Sequence, residues 1–526
     1  MSYIKTYVSC CRVRFFQVTI TKSGYRRTRL QRNVFQNNKV LFGEKVQDLD
    51  GKIRTGVAWA GLTQVGGQLV SLAISIILTR LLSPQDFGLI GMILVFTGFA
   101  AVLAEMGFGA ALVQKLELTQ HHKNAVFWVS VAIGALITLI MAAAAPYIAS
   151  FYGVPELQPL TVAISLIFFI NAFATVKAAL LQRAMDFRTL AAAQLTGTVL
   201  SGLVAIFLAF SGFGVWSIVA MYLVSALVNV AVLWTFAPWR PDFSVQWHAL
   251  KDLSKFSRNL LGFSAFNYWT RNGDNLLIGR FVGSAALGIY ARSYLILLVP
   301  VWQVSGTISS VMFPAMSAIQ KDVELVREMF LKSISVISLA TFPLTLGLLV
   351  VSQSFVLALF GDKWSGMIPI LQAFCLLGAI QSINTILGSI YLSQGRTDIQ
   401  FRWGLISGSI FIISFVVGLR WGAVGVAVAY TIANLLLWYP TWSIPAHLID
   451  LSFVTMLRKL APTFFGATTM ALAVWMLGLI LPNGWSYATH LALQVFFGAI
   501  VYWIFVHMFH VEAYTIASRL LATYFK

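Results

Sequence analysis

One segment of the sequence concentrates polar side chains within an otherwise apolar stretch. Residues 260–280 contain the basic Arg271 and the acidic Asp274, together with the amides of Asn267 and Asn275. Separations of four, three and one residues place these four side chains on one broad face of a helix. A guanidinium on such a face suits phosphate, because it donates two parallel hydrogen bonds to phosphate oxygens. The segment therefore predicts either an anion-binding cavity or a helix seam in which Arg271 pairs with Asp274.

A second polar group lies in the first long apolar segment. Gln64 and Gln68 are one helical turn apart there. Amides hydrogen-bond sugar hydroxyls, so these two residues, with Asn267 and Tyr268, are candidate sugar contacts. Helix packing explains the same amides equally well.

Acidic side chains in apolar segments are candidates for binding a proton or a sodium ion. Glu105 lies late in the second such segment, and Asp274 lies in the seventh. An ionisable group near the middle of a bilayer costs about 2.5–3.5 kcal/mol on insertion scales, so its presence needs a reason. Glu105 is either a proton or sodium site or a structural acid held by arginine or backbone donors.

The composition indicates the elements that must position these residues. The chain has 526 residues, of which 59% are hydrophobic and 10% charged, whereas globular proteins contain about 25% charged residues. Lipid accepts such a composition, and a soluble fold of this size does not. A soluble enzyme and a nucleic-acid binder are therefore excluded, although the formal charge is +18.

The apolar residues form about fourteen segments long enough to cross a bilayer as helices. We therefore predict an all-α polytopic membrane protein. The segments lie near 57–79, 87–111, 125–147, 159–179, 190–210, 214–236, 260–280, 289–312, 332–354, 366–390, 403–419, 422–445, 460–480 and 489–509.

The basic residues predict the orientation of these segments. With both termini in the cytoplasm, the inner loops and adjoining helix ends hold sixteen Lys and Arg, and the outer ones hold five, Arg292 included. Lys177, at the inner end of the fourth segment, is expected to extend its ammonium towards the membrane surface. Residues 1–55 add twelve basic against three acidic residues. This basic extension is either dispensable or an arm that lies on anionic lipid.

A repeat at an offset of 200 residues predicts two related lobes. Leu78–Ser83 followed by Phe87-Gly88 corresponds to Ile278–Gly283 followed by Leu287-Gly288. Six helices in each copy imply a pseudo-two-fold axis along the membrane normal. The predicted units are an extension (1–50), a first lobe (51–236), a cytoplasmic linker (237–259), a second lobe (260–448), and two added helices with the tail (449–526).

Arg80 and Arg280 occupy equivalent places in this repeat, at the ends of the first helices of the two lobes. Both are predicted on the outer side, where basic residues are least expected. They either attract an anionic group of the ligand or cap helix C-termini, which favour cations.

Several blocks of sequence resemble the polysaccharide transporter family of lipid-linked oligosaccharide flippases, especially its colanic-acid and exopolysaccharide exporters. Two differences are that Glu105-Met106-Gly107 stands where members often have Asp-Leu-Gly, and that more than fifty residues precede the first apolar segment. The similar blocks are LTRLLSPQDFG (78–88), EMGFGAALVQ (105–114), FYGVPEL (151–157), LQRAMDF (181–187), GFGVW (212–216), PWRP (238–241), DNLLIGR (274–280), GIYARSY (288–294) and FGDKW (360–364).

The resemblance implies a bacterial inner-membrane protein that turns an undecaprenyl-diphosphate-linked oligosaccharide repeat unit from the inner to the outer leaflet. It implies two six-helix lobes around a cavity, with two further helices bordering an apolar groove for the polyprenyl tail. Membrane lipid is an expected partner, and polysaccharide polymerase and chain-length machinery are potential ones. If the resemblance holds, Arg271 is expected to bind the diphosphate, and Arg80 and Arg280 are expected to attract it.

Two other functions are weighed against this one. A multidrug or toxin extruder of the same superfamily needs an acidic cavity for organic cations, whereas residues 260–280 offer arginine and amides. A membrane-embedded polymerase or ligase needs a large outer loop with catalytic groups, and the longest predicted outer connection is short. The sequence contains no nucleotide-binding loop, catalytic triad pattern or metal-ligand spacing, so neither enzyme activity nor a cofactor is expected.

Overall fold

The computed structural model describes residues 66–105, 109, 112–113, 118–243, 268–482, 484–515 and 518, without the side chains of Glu105, Val299 and Pro300. The predicted extension (1–50), most of the predicted linker (237–259), Gln64, Asn267 and the Glu105 side chain lie outside the described groups.

Every regular element in the described ranges is a helix. The first part of the chain forms α1 (Gly66–Leu81), α2 (Pro84–Glu105), α3 (Gln120–Tyr152), α4 (Leu157–Ala172), α5 (Thr175–Arg183), α6 (Phe187–Phe210) and α7 (Val215–Phe236). The second part forms α8 (268–281), α9 (Ser284–Val301), α10 (Thr307–Ala318), α11 (Val323–Leu359), α12 (Met367–Ser393), α13 (Thr397–Gly418), α14 (Gly422–Leu436), α15 (Trp438–His447), α16 (Phe453–Ile480) and α17 (Tyr487–Met508).

Local sequence sets several helix boundaries. Asp186, Ser452 and Ser486 accept the backbone N–H three residues on, which satisfies a free donor in the first turn of the helix that follows. Gly153 ends α3 with a left-handed φ of 69°, which glycine adopts without steric cost. The apolar stretches between such signals remain helical because their backbone groups are then paired within the chain.

Nine helical segments in the described part of the chain are long and apolar enough to cross a membrane, and up to eleven if each of two bent pairs counts as one span. One of the nine, Thr397–His447, contains α13 and α14, which turn back on each other between Gly418 and Gly422. The prediction of an all-α polytopic membrane protein is confirmed for the described residues. The number of fourteen spans and the division into two lobes stay predictions.

The closest approach between the two parts of the chain is the crossing of α2 and α9. A Cβ on Gly88 would lie 1.7 Å from the carbonyl oxygen of Ser284, and one on Gly288 would lie 2.0 Å from that of Pro84. These pairs are reciprocal in the 200-residue repeat, since Gly88 corresponds to Gly288 and Pro84 to Ser284. The two backbones touch, and only glycine fits at either position.

Further contacts between the two parts surround this crossing. The Trp364 indole, which precedes α12, donates to the carbonyl of Thr79 at 2.8 Å, and its ring lies 5.5 Å from that of Phe87. Arg80 donates to the carbonyls of Leu359, at 2.8 Å, and Ala358 in the last turn of α11. Arg80 therefore caps the C-terminus of α11, which supports the capping alternative for this residue.

Arg280 occupies the corresponding place in the other part. Its guanidinium carbon lies 5.5 Å from the ring centroid of Phe151 in the last turn of α3. A Cβ on the neighbouring Gly279 would lie 2.9 Å from the ring of Tyr152. The ends of α1 and α8 thus each pack against the end of a helix from the opposite part of the chain.

Lys177 on α5 is fully buried, so the expectation that it extends towards the membrane surface is wrong. Its ammonium donates to the carbonyls of Ala237, at 3.0 Å, and Trp239, at 2.8 Å, and lies 4.4 Å from the ring centroid of Trp234. The C-terminal end of α7 attracts a cation through its helix dipole, which explains how the charge is tolerated. Lys177 thereby holds the segment that leads from α7 into the linker.

We predict that Gly88→Ala and Gly288→Ala each destabilise the protein by about 1–3 kcal/mol, because the added methyl group overlaps the facing carbonyl. The matched control is Gly273→Ala on α8, where a Cβ meets nothing within 4 Å. Alanine should be neutral or stabilising there, since it favours helix by about 1 kcal/mol over glycine. Thermal unfolding of the purified protein measures both effects, and equal melting temperatures for all three variants would contradict the prediction.

Candidate functional site

A polar cavity with a volume of about 620 Å³ lies among helices of the second part of the chain. This size is typical of small-molecule pockets. Its walls combine amides, hydroxyls and aromatic rings with one arginine and one carboxylate. The polar and aromatic lining residues are Thr270, Arg271, Asp274, Tyr294, Trp302, Gln381, Asn384, Thr385, Tyr391, Gln400, Trp403, Ser407, Phe411, Phe415, Tyr430, Asn434 and Thr441.

Arg271 and Asp274 lie on the same wall but do not pair with each other. The Asp274 carboxylate is 5% exposed and accepts the Tyr290 hydroxyl at 2.8 Å and the backbone N–H of Asn275 at 2.8 Å. Arg271 is exposed to the cavity, and no carboxylate of a described residue lies within ion-pair distance of it. The alternative of an Arg271–Asp274 ion pair is thus not realised in this structure, and the guanidinium is available to an anion.

Tyr290 positions Asp274 from α9, two residues beyond Gly288 at the crossing with α2. The phenol is fully buried and packs edge-on against Phe374 of α12, with ring centroids 5.3 Å apart. Burying a carboxylate is expensive unless hydrogen bonds replace water, and Tyr290 supplies one of them. No metal-binding group of three or more His, Cys, Asp or Glu occurs in the part of the chain that the structure describes.

A second, smaller cavity of about 420 Å³ lies among α1, α2, α6 and α7 and receives one arginine from α9. Arg292 donates to the Ser75 hydroxyl at 2.8 Å, and its guanidinium carbon lies 3.9 Å from the Phe87 ring centroid. Sequence analysis counted Arg292 among the outer charges. The structure places it inside a helix, where it links α9 to the opposite part of the chain.

An apolar groove runs between the end of α11 and α17. It has a volume of about 540 Å³ and is lined by alanine, leucine, valine and phenylalanine side chains. Ala358 and Leu359, whose carbonyls Arg80 binds, form one side, while Phe496 and Val495 lie on the other.

The structure brings only part of the predicted site together. Arg271 and Asp274 line the 620 Å³ cavity. Asn275 adjoins it through its bond to Asp274, and its side-chain oxygen is buried without a partner. Gln68 is exposed on α1, and neither it nor Arg80 nor Arg280 is among the residues that line this cavity.

Sequence analysis missed the amides and aromatics of α12 and α13. Gln400, Trp403, Ser407 and Phe411 recur at spacings of three and four on α13, so helical periodicity was the available signal. It was hidden because both faces of a membrane helix carry apolar residues, and only the packing of neighbouring helices shows which face borders a cavity.

The fold is shared with a membrane protein of known structure. The solved structure of the lipid II flippase MurJ, in an inward closed conformation, superposes with a TM-score of 0.70 and 14% sequence identity, covering 86% of this chain and 99% of that one. At this identity the similarity establishes the fold alone.

The sequence establishes the family. The pattern of the family described as "Polysaccharide biosynthesis protein" matches residues 77–369, more than half of the chain, and the chain belongs to that family. The lipopolysaccharide biosynthesis protein WzxC of Escherichia coli strain K12 is 28% identical over 390 residues, 73% of this chain and 79% of that protein. The succinoglycan biosynthesis transport protein ExoT of Rhizobium meliloti strain 1021 is 27% identical over 354 residues, 67% of this chain and 72% of that protein.

We predict that substitutions at Arg271 and Asp274, about one helical turn apart, differ in their effect on stability. Arg271→Ala should change the unfolding free energy by less than about 0.5 kcal/mol, because the side chain is exposed and makes no bond to a described residue. Asp274→Ala should cost about 1–3 kcal/mol, because the buried Tyr290 hydroxyl loses its acceptor. Membrane abundance and thermal unfolding measure both. Loss of Arg271→Ala from the membrane would show that Arg271 is structural.

Proposed function

We propose that this protein moves an undecaprenyl-diphosphate-linked oligosaccharide from the inner to the outer leaflet of the bacterial inner membrane by alternating access. The observation that carries the proposal is the exposed Arg271, which has no carboxylate partner among the described residues, at the wall of a cavity lined mainly by amides, hydroxyls and aromatic rings. Membership of the polysaccharide biosynthesis family supports the substrate class. Transport rather than catalysis is the proposed activity.

The substrate has three chemical parts, and the structure offers a surface suited to each. Arg271 suits the diphosphate, because its fork donates to two oxygens at once. The apolar groove beside α17 suits the polyprenyl tail. Amides and hydroxyls suit the sugars. Arg80 and Arg280 are proposed to attract the diphosphate only where they are released from the helix ends that they contact here.

Alternating access rests on the two-lobe arrangement proposed from the repeat. The contacts around Gly88 and Gly288 join the ends of α1, α2, α8 and α9, which the charge distribution predicts on the outer side. We propose that these contacts close the outer side in this conformation and separate when the substrate leaves. Both termini are proposed to lie in the cytoplasm, and a polysaccharide polymerase and chain-length machinery are proposed partners.

Coupling to an ion gradient is proposed at Asp274, with Glu105 as the second candidate. Asp274 is buried, borders the cavity and accepts a bond from a hydroxyl of α9. Binding or release of a cation at this carboxylate would alter the packing of α8 on α9. Transport measured under a proton gradient and under a sodium gradient distinguishes the two ions.

Deletion of the gene tests the function. We expect the undecaprenyl-diphosphate-linked repeat unit to accumulate on the inner leaflet and a surface glycan to be lost. Complementation with Arg271→Ala should leave the lipid accumulated at normal protein abundance, because a charge-assisted contact of about 1.5–3 kcal/mol is removed, which slows transport about tenfold or more. Arg271→Lys, which retains the charge without the fork, should restore part of the transport.

The alternative class, an extruder of organic cations, gives a different result in the same strain. Increased sensitivity to cationic drugs without accumulation of lipid-linked sugar would contradict the proposed function. Unchanged transport in Arg271→Ala would instead contradict the assignment of the diphosphate to Arg271.

The ion-coupling proposal predicts that a proton or sodium gradient accelerates transport by the wild-type protein in vesicles. The substrate is the lipid accumulated by the deletion strain, and its sugars are scored by access to periodate, which does not cross the membrane. Asp274→Asn should transport at one rate with or without the gradient, because it has no charge to exchange. Gradient-independent transport by the wild type would show the proposal to be wrong, and Glu105→Gln tests the second candidate in parallel.

A further inference from the structure

Two helix faces that line the 620 Å³ cavity carry side chains to which no role has been given above. On α13, Gln400, Trp403 and Ser407 follow one another at helical spacing. On α12, Asn384 and Tyr391 do the same, seven residues apart. Both faces line the same cavity as Arg271.

Tyr391 is the most informative of these residues. Its side chain is 4% exposed, it lines the cavity, and its hydroxyl has no hydrogen-bond partner. A buried hydroxyl without a partner is destabilising, and native proteins rarely retain one without a reason. A bound molecule with hydroxyl groups would supply the missing partner.

Two amides on these faces also have unused hydrogen-bonding groups. Asn384 accepts the indole N–H of Trp442 at 2.7 Å, which fixes its orientation and leaves its amino group unbonded to described residues. Gln400 makes no side-chain hydrogen bond within the described ranges, and its Nε2 lies 3.8 Å from the position of a Cβ on Gly388. The site therefore presents donors and acceptors without a net charge.

The aromatic residues and the glycines of the cavity provide surface and room. Trp403 on α13 and Trp302, which begins a π-helical turn after α9, both line the cavity. Single π-helical turns are frequent at functional sites. Gly404 and Gly306 also line the cavity, and a Cβ on either would meet nothing within 4 Å, so there is open space at both glycines.

We propose that the α12–α13 side of this cavity, with Tyr391, Asn384, Gln400 and Trp403, is a sugar subsite that recognises the oligosaccharide of the substrate while Arg271 holds the diphosphate. This inference rests on the proposed function and adds the residues that determine sugar specificity. A sugar presents hydroxyls to amides and a phenol and apolar C–H faces to indole rings, which is the chemistry found here. The cavity offers no free carboxylate to an organic cation. Among the described residues that line it, only Asp274 is acidic, and this carboxylate is already bonded to Tyr290.

The test compares two lipids that differ only in the sugars. The full-length protein in lipid nanodiscs is titrated with undecaprenyl diphosphate and with the sugar-bearing lipid extracted from the deletion strain. The wild type is expected to bind the sugar-bearing lipid about tenfold more tightly or better. Arg271→Ala is expected to lose affinity for both lipids, because both carry the diphosphate.

Tyr391→Phe separates ligand binding from folding. Removing an unpartnered buried hydroxyl leaves the thermal midpoint of the free protein unchanged or raised. It should nevertheless weaken the sugar-bearing lipid several-fold and leave undecaprenyl diphosphate unaffected. The matched control is Tyr502→Phe on α17, whose hydroxyl donates to the Leu339 carbonyl at 3.0 Å outside the cavity. That variant should lower the midpoint and leave the ratio of the two affinities unchanged.

Trp403→Ala and Gln400→Ala test the α13 face. Each should reduce the preference for the sugar-bearing lipid about tenfold, and Trp403→Phe should restore much of it, because a phenyl ring retains an apolar face. Equal loss of affinity for both lipids, or no change in the preference in any of these variants, would overturn the sugar subsite. A wild type that binds both lipids equally would likewise overturn the sugar subsite, whereas a deletion strain that accumulates no such lipid would overturn the proposed function.

Discussion

The backbone contact between α2 and α9 is the constraint on which the arrangement of the site depends. Gly88 and Gly288 allow two helices from distant parts of the chain to cross with no side chain between them. Helices in lipid gain little from apolar burial alone, so close packing at small residues is what holds them together. Any larger residue at the crossing would displace α9, and α9 carries groups that border both cavities.

The positions along α9 show how much follows from this contact. Tyr290 lies two residues beyond the crossing and binds Asp274, while Arg292 lies two further and reaches Ser75 in the opposite direction. Tyr294, two residues further on, lines the polar cavity. Trp302, where the π-helical turn begins, lines the same cavity. Because α9 is a continuous helix from Tyr290 to Tyr294, a movement at the crossing would be transmitted to the groups at both cavities. This is the physical basis on which we propose that the outer contacts and the substrate site change together.

The sequence predicted the scaffold better than the site. Long apolar segments predict membrane helices directly. The two glycines of the crossing, Gly88 and Gly288, occupy equivalent positions in the 200-residue repeat. Arg271 and Asp274 were found because charge within an apolar segment is costly and therefore informative. Arg292 was missed because a charge near a helix end resembles a loop charge. The partners of Lys177 are about sixty residues away along the chain, so no local pattern could show that it is buried. Gln400 and Trp403 could not be assigned to a site from the sequence, because only the packing of neighbouring helices shows that they line a cavity.

The two copies of the repeat have the same residues near the crossing of α2 and α9, but different residues at the two cavities. Arg80 and Gly88 recur as Arg280 and Gly288, 200 residues on. At the same offset, Asp274 and Tyr290 correspond to Ile74 and Ile90, which line the smaller cavity as apolar residues. A carboxylate can be buried only with its hydrogen-bond donor, so the pair must be present together or replaced together. The replacement of both members on one side leaves that cavity without a binding carboxylate. We therefore propose that the substrate lies on the side with Arg271 and the amides, where Asp274 is already bonded to the Tyr290 hydroxyl and the Asn275 N–H.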